Sequence, residues 1–242
     1  MIFNLFKSKP TLKELIPNGF VDIHSHIIPG IDDGAKNIKE SIKLISKMKK
    51  LGFSKIIGTP HSYPGLYNNT NETIKTAYNE LSKNITEEIN IDYASEYMLD
   101  NNIIQKARKN ELLCLKDNYV LVEMSYVGET INLFEIIYEI RVNDYKPILA
   151  HPERYLFLNG QINKLYKLKK YGCLFQANLL SLTNFYGKDV SKFLEKLINK
   201  ELIDFFGSDI HSMRHVSAFT DKINTRKTQS IEKILENSLI FN

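Results

Sequence analysis

Two histidines stand two residues apart, His24 and His26, just after Phe20 and the β-branched Val21 and Ile23 of an alternating run. On an extended backbone, positions two apart point the same way. A strand ending there would offer two imidazoles to one metal ion. Seven residues past His26 comes Asp33, in a Gly-bounded acidic turn with Asp32 beside it. A His-x-His pair alone is a weak signal. It gains weight because His61, Glu96, Glu123, His151, Asp209 and His211 also fall at the ends of short apolar runs. Five of the six histidines share this register, together with the carboxylates. Imidazole and carboxylate donors without a thiolate suit borderline to hard ions such as Mn, Fe or Zn. There are more donors than one ion can use, so several ions bridged by a carboxylate are expected. Such clusters turn a water into hydroxide and clamp a phosphoryl oxygen during hydrolysis.

The elements that must carry these residues alternate. Strands are expected over 20–24, 55–58, 91–94, 119–122, 147–150, 173–177 and 203–206. Helices are expected over about 37–51, 72–89, 100–110, 131–143, 160–171, 189–200 and 214–240. That alternation demands a parallel sheet with right-handed crossovers. In an open sheet the first and last strand ends lie far apart or meet near one switch point. In a barrel all strand ends converge on one rim, where such folds place chemistry. The spread of donors from the first strand to the last therefore points to a near-complete α/β barrel of seven strands. Tyr63, Tyr67 and Tyr126 lie on loops at the expected rim, where they would either shape an aromatic pocket or simply pack.

Length and composition set the remaining bounds. A chain of 242 residues, 43% hydrophobic and 25% charged, can bury a substantial core. We expect one domain over 20–242, preceded by a poorly ordered extension over 1–19. The net charge of +4 comes mainly from lysines spread along helix faces, with no basic run carrying interleaved aromatics, so nucleic acid is not the expected partner. No apolar run reaches the length of a membrane span, and no export signal is evident. With only Cys114 and Cys173, no disulfide framework is expected, which fits a cytoplasmic protein. Thiol phosphatases need an arginine six residues past the cysteine. Those positions here are Val120 and Leu179, so that route is closed.

HSH with DDG, TPH, the glutamate of SEY, the glutamate of VEMS, AHPER and GSDIH together resemble the PHP (polymerase and histidinol phosphatase) family. Within it, GIDDGAK, the VEMS glutamate and HPERY look most like the bacterial metal-dependent protein-tyrosine phosphatases of capsule and exopolysaccharide loci. The resemblance implies a distorted (β/α)7 barrel with up to three ions, manganese first. It implies that His24, His26 and Asp209 hold one ion. Glu96 bridges it to a second, which Glu123 and His151 complete, and Asp33, His61 and His211 hold the third. Asp32 is the rival to Asp33. Arg154 is implied to bind the substrate phosphate. Arg214 is a second candidate, although the family's second phosphate-binding arginine lies slightly further along this loop, and His215 stands beside it. The implied substrate is a phosphotyrosine protein, a polysaccharide-synthesis tyrosine kinase. The competing expectations are a histidinol-phosphate phosphatase and a catalytically inactive regulatory barrel.

Overall fold

The computed structural model describes residues 8–86 and 88–242. Along them, strand and helix alternate. The strands are β1 (Phe20–Ser25), β2 (Phe53–Gly58), β3 (His61–Ser62), β4 (Asn90–Tyr93), β5 (Glu96–Met98), β6 (Tyr119–Glu123), β7 (Lys146–Ala150), β8 (Leu174–Asn178) and β9 (Phe205–Gly207). All pairings between them are parallel. They form two sheets, β1-β2-β4 and β3-β5-β6-β7-β8-β9.

Seven strands are expected from the sequence. The structure keeps their places and adds two short strands, β3 and β5, just beyond the expected ends of the second and third. Pro60 has no N–H to give a ladder, and it separates β2 from β3. Ala94 and Ser95 separate β4 from β5. Across the breaks the hydrogen bonds step on: the Ala94 N–H donates to Gly58 O at 2.9 Å, and the Glu96 N–H to Pro60 O at 3.1 Å. On the opposite flank β1 meets the chain beyond β9 through the single bridge Ser25–Ile210. There His26 N donates to Ile210 O at 3.0 Å and Asp209 N to His24 O at 2.8 Å. The expected ring is thus two parallel sheets and not one closed ladder.

The strands still share an interior. Val21 and Ile23 of β1, Ile57 of β2, Leu121 of β6, Ile148 of β7 and Phe205 of β9 form one buried apolar cluster with Phe241. A larger cluster lies between the strands and the helices. Helix Ile38–Lys50 shows how a helix joins it: Asn37 caps the start by accepting from Glu40 N, and Leu44, Ile45 and Met48 recur on the buried face.

Three expectations change. The helix expected over 72–89 ends at Ser82, followed by a turn in which Asn84 Nδ2 donates to Glu80 O. The C-terminal helix is interrupted: Met213–Ser217 and Thr228–Asn237 are helical. Between them Ile223 and Asn224 give their N–H groups to Pro10 and Leu182, which removes them from any helical ladder. Of the extension expected to be loose, residues 1–7 lie outside the described residues, and the remainder is tied down. Thr11 caps the short helix Leu12–Leu15, Leu12 N donates to Asp221 O at 2.9 Å, and Lys9 Nζ bonds Asn224 O. Leu12, Leu15 and Ile16 are buried. No helix among the described residues is long and apolar enough to cross a membrane.

Candidate metal centre

The parallel strands end on one side, and their ends carry the donors. β1 delivers His24, and His26 follows one residue past its end. β3 opens with His61, β5 opens with Glu96, and β6 closes with Glu123. His151 follows β7 directly, and Asp209 and His211 follow β9. His151 (φ 37°) and Asp209 (φ 52°) are non-glycine residues held in the left-handed region. Such backbone costs about 1–3 kcal/mol, persists only where its surroundings over-determine it, and clusters at functional sites.

All nine side chains named from the sequence come together. Donor atoms of His26, Asp33, His61 and His211 lie within 4.8 Å of one another, as do those of His24, His151 and Asp209. The same spacing joins His24 and His26 with Glu96, and His61 with Glu96 and Glu123. Glu96 sits at the middle. Its Oε2 lies 3.2 Å from His24 Nε2 and 3.1 Å from His61 Nδ1, while its Oε1 lies 3.0 Å from His151 Nε2. The resemblance places Glu123 and His151 on one ion. Here Glu123 groups with His61, and His151 groups with His24 and Asp209.

Hydrogen bonds behind the rings decide which nitrogens face inward. His24 Nδ1 lies 2.7 Å from the amide oxygen Oε1 of Gln176, which can only accept. His26 Nδ1 lies 2.7 Å from Asp32 Oδ2. Both Nδ1 atoms therefore carry the proton, and both Nε2 lone pairs point at the centre, 3.2 Å apart. Two lone pairs facing each other cannot bond without something positive between them. Likewise His61 Nδ1, Glu96 Oε2 and Glu123 Oε1 are buried without a hydrogen bond, although His61 Nδ1 is 2.8 Å from Glu123 Oε1. The separations are short and the directions are wrong for hydrogen bonds. These are the properties of donors shaped to a cation, so the residues fit a metal cluster.

The electrostatics agree. Burial works against charge on His24, but the Glu96 and Asp209 carboxylates overcome it and raise its pKa. Burial is likewise overcome at His61, where Glu96 helps to raise the pKa to about 10. Burial, followed by the Glu96 charge, pushes Glu123 up to about 7. Burial drives His151 down to about 4. The carboxylates favour positive charge on His24 and His61, whereas burial outweighs Glu96 at His151.

The acidic pair divides its labour. Asp32 is buried behind His26 and also accepts from the N–H groups of Gly34 and His61. Asp33 faces the opening, with Oδ1 3.5 Å from both His61 Nε2 and His211 Nε2. A cavity of about 350 Å³ lies over the centre, lined by Asp33, His61, His151, Asp209 and His211 together with Tyr126, Arg154, Tyr186, Ser212 and His215. Arg154 donates from Nη1 to Asp209 Oδ2 at 2.9 Å. Its guanidinium is sandwiched between Tyr126 at 4.7 Å and Tyr186 at 4.3 Å. Arg214 does not line this cavity. It is exposed, with its guanidinium 5.2 Å over Phe185. Tyr67 stacks on His61 at 5.4 Å, and Tyr63 and Tyr67 line a neighbouring cavity of about 240 Å³.

Sequence reasoning overlooked Gln176, Asn178 and Tyr186. The first two had a signal: two amides, two residues apart, inside the otherwise apolar strand LFQAN. Tyr186 is one of 13 tyrosines and had none.

Residues 20–237 match the family described as capsular polysaccharide synthesis, CpsB/CapC. Tyrosine-protein phosphatase YwqE of Bacillus subtilis is 29% identical over 237 residues, covering 91% of this chain and 93% of that protein. A chain from the crystal structures of YwqE from Bacillus subtilis and CpsB from Streptococcus pneumoniae, metal-dependent tyrosine phosphatases, superposes with a TM-score of 0.76 at 30% identity. It covers 89% of this chain and 86% of that one. An amidohydrolase from Mycoplasma synoviae superposes with a TM-score of 0.51 at 13% identity over 95% of this chain, a likeness of fold.

Proposed function

This chain belongs to the CpsB/CapC family of capsular polysaccharide synthesis, and from that membership we propose that it is a metal-dependent tyrosine-protein phosphatase. The observation that carries the reading is the pair of inward lone pairs on His24 and His26, set among carboxylates beneath a cavity that Arg154 lines. His24, His26 and Asp209 would hold one ion and Asp33, His61 and His211 another, with Glu96 shared between them; Glu123, beside His61, and His151, beside His24 and Asp209, would complete the shells nearest them, for up to three ions in all. Manganese suits this nitrogen and oxygen set, as iron or zinc would. Bound ions supply a nucleophilic hydroxide near neutral pH and neutralise charge on the phosphoryl oxygens.

The protein's own groups do the rest. Asp209 Oδ2 is held by Arg154 and Asn178, which leaves Oδ1 free to face His24 and His26. One Arg154 nitrogen is spent on Asp209, and the remaining N–H groups are available to phosphoryl oxygens of a substrate in the cavity. Tyr126 and Tyr186 fix the plane of that guanidinium and give the cavity an aromatic wall suited to a phenyl phosphate. Arg214 would contribute only after leaving Phe185. The two sheets are best regarded as one distorted seven-stranded barrel over 20–242, because strands of both sheets pack a common interior. The substrate would be a phosphotyrosine protein of the capsule machinery, a tyrosine kinase, in the cytoplasm, where the free thiols Cys114 and Cys173 stay reduced.

The test is turnover of p-nitrophenyl phosphate and of a phosphotyrosine peptide, with and without Mn²⁺. Metal-dependent hydrolysis of both is expected, and a His24→Ala/His26→Ala variant should lose it. Full metal-dependent activity in that variant would refute the assignment. A higher kcat/KM on histidinol phosphate than on the peptide would favour the small-substrate alternative.

A further inference from the structure

Strand β8 supplies none of the nine donors, yet it runs between β7 and β9, which do. Its two buried amides, Gln176 and Asn178, form a chain. His24 Nδ1–H donates to Gln176 Oε1 at 2.7 Å. Gln176 Nε2 donates to Asn178 Oδ1 at 3.1 Å. Asn178 Nδ2 donates to Asp209 Oδ2 at 2.6 Å. Both amides are fully buried. The Asn178 N–H is itself held by Glu153 Oε1 at 2.9 Å.

Every link has the same polarity, starting at a ring N–H and ending on a carboxylate. Only a side chain that both accepts and donates can stand at either middle position. A carboxylate at 176 would still accept from His24 but could not donate to Asn178. A carboxylate at 178 could not donate to Asp209. The chain thereby ties one ligand to the other: His24 presents Nε2 inward because Gln176 holds Nδ1–H, and Asp209 presents Oδ1 inward because Asn178 holds Oδ2. Close packing fixes its place, since a Cβ on Gly207 would meet His24 Cβ at 2.7 Å and Gln176 Nε2 at 2.9 Å.

We propose that Gln176 and Asn178 are positioning residues that couple the orientation of His24 to that of Asp209 and so set the affinity of the ion those two would hold. This rests on the reading of His24 and Asp209 as ligands of one ion, and not on the identity of the substrate. Groups that orient metal ligands from behind are worth about 10- to 100-fold in metal affinity.

The test compares wild type with Gln176→Leu, Gln176→Glu and Asn178→Asp, by equilibrium dialysis against buffered Mn²⁺ and by proton NMR of the Zn²⁺-loaded proteins. Wild type should show a hydrogen-bonded, slowly exchanging His24 Nδ1–H signal. Gln176→Glu should keep that signal, and Gln176→Leu should lose it. Gln176→Leu and Asn178→Asp should each weaken Mn²⁺ binding about 10- to 100-fold. Unchanged affinity in Gln176→Leu would overturn the proposal. Loss of the Nδ1–H signal in Gln176→Glu as well as in Gln176→Leu would also overturn it, because packing alone would then be the role. Absence of Mn²⁺ binding by wild type would instead refute the functional reading beneath it.

Discussion

At the scale of the residue, the most exposed wager is Arg154. Its guanidinium is a flat cation between two phenol rings, and one edge is already used on Asp209. Lysine keeps the charge but loses the fork and the stacking. Hydrogen bonds to charged groups are worth about 1.5–3 kcal/mol. Arg154→Lys should therefore lower kcat/KM on a phosphotyrosine peptide about ten- to a hundredfold, measured at saturating Mn²⁺ so that any loosening of Asp209 does not limit the rate. The two cysteines make the opposite case. Burial pushes Cys114 up to about 11 and Cys173 up to about 12, so almost no thiolate exists at pH 7. Iodoacetamide at neutral pH should leave metal-dependent turnover unchanged. Eight of the nine donor positions were legible in the sequence because they sit at or just past the end of an apolar run, and a strand end is readable; Asp33, in the acidic turn, was named over Asp32 only through the family resemblance. The orientation of His26 was not, because it depends on Asp32 folding back behind the ring, which no spacing encodes.

At the scale of the element, the turn that carries Asp32 and Asp33 is pressed against the strand end it serves. A Cβ added to Gly34 would lie 2.1 Å from His26 O and 2.5 Å from His26 Cβ. Backbone cannot yield to that cheaply. Gly34→Ala should displace His26 and reduce metal-dependent kcat/KM at least about tenfold. Gly128, where a Cβ would meet nothing within 4 Å, should tolerate alanine without loss. Steady-state kinetics on the two variants at saturating Mn²⁺ separates them. The alternation of strand and helix was readable because parallel units need helical crossovers. The two added strands, β3 and β5, were harder to see. Pro60 announced one break, but Ala94–Ser95 contains nothing that forbids a strand, and its break follows from the sheet having to step at Pro60 beside it.

At the scale of the whole molecule, the centre concentrates buried Glu96, Glu123 and Asp209 with the shielded carboxylate of Asp32. Ions that bind the folded state alone stabilise it by about 2.7 kcal/mol at a hundred times Kd. For a chain of 242 residues each kcal/mol shifts Tm by about 2–4 °C. Chelation should lower Tm by about 5–10 °C, and added Mn²⁺ should restore it, by differential scanning calorimetry. That the first and last strands meet was inferred from donors alone. How they meet was not, since the bridge Ser25–Ile210 and the hydrogen bond from Leu12 N to Asp221 O are long-range pairings with no local trace. That bridge has a consequence for biosynthesis. Translation proceeds at about 5–20 residues per second, so the ribosome has released His24 and His26 for roughly ten seconds or more before Asp209 and His211 exist. A nascent polypeptide thus carries half a chelator without its counterpart, and hydrolytic competence must wait for Asp209 and His211, about 185 residues of synthesis later.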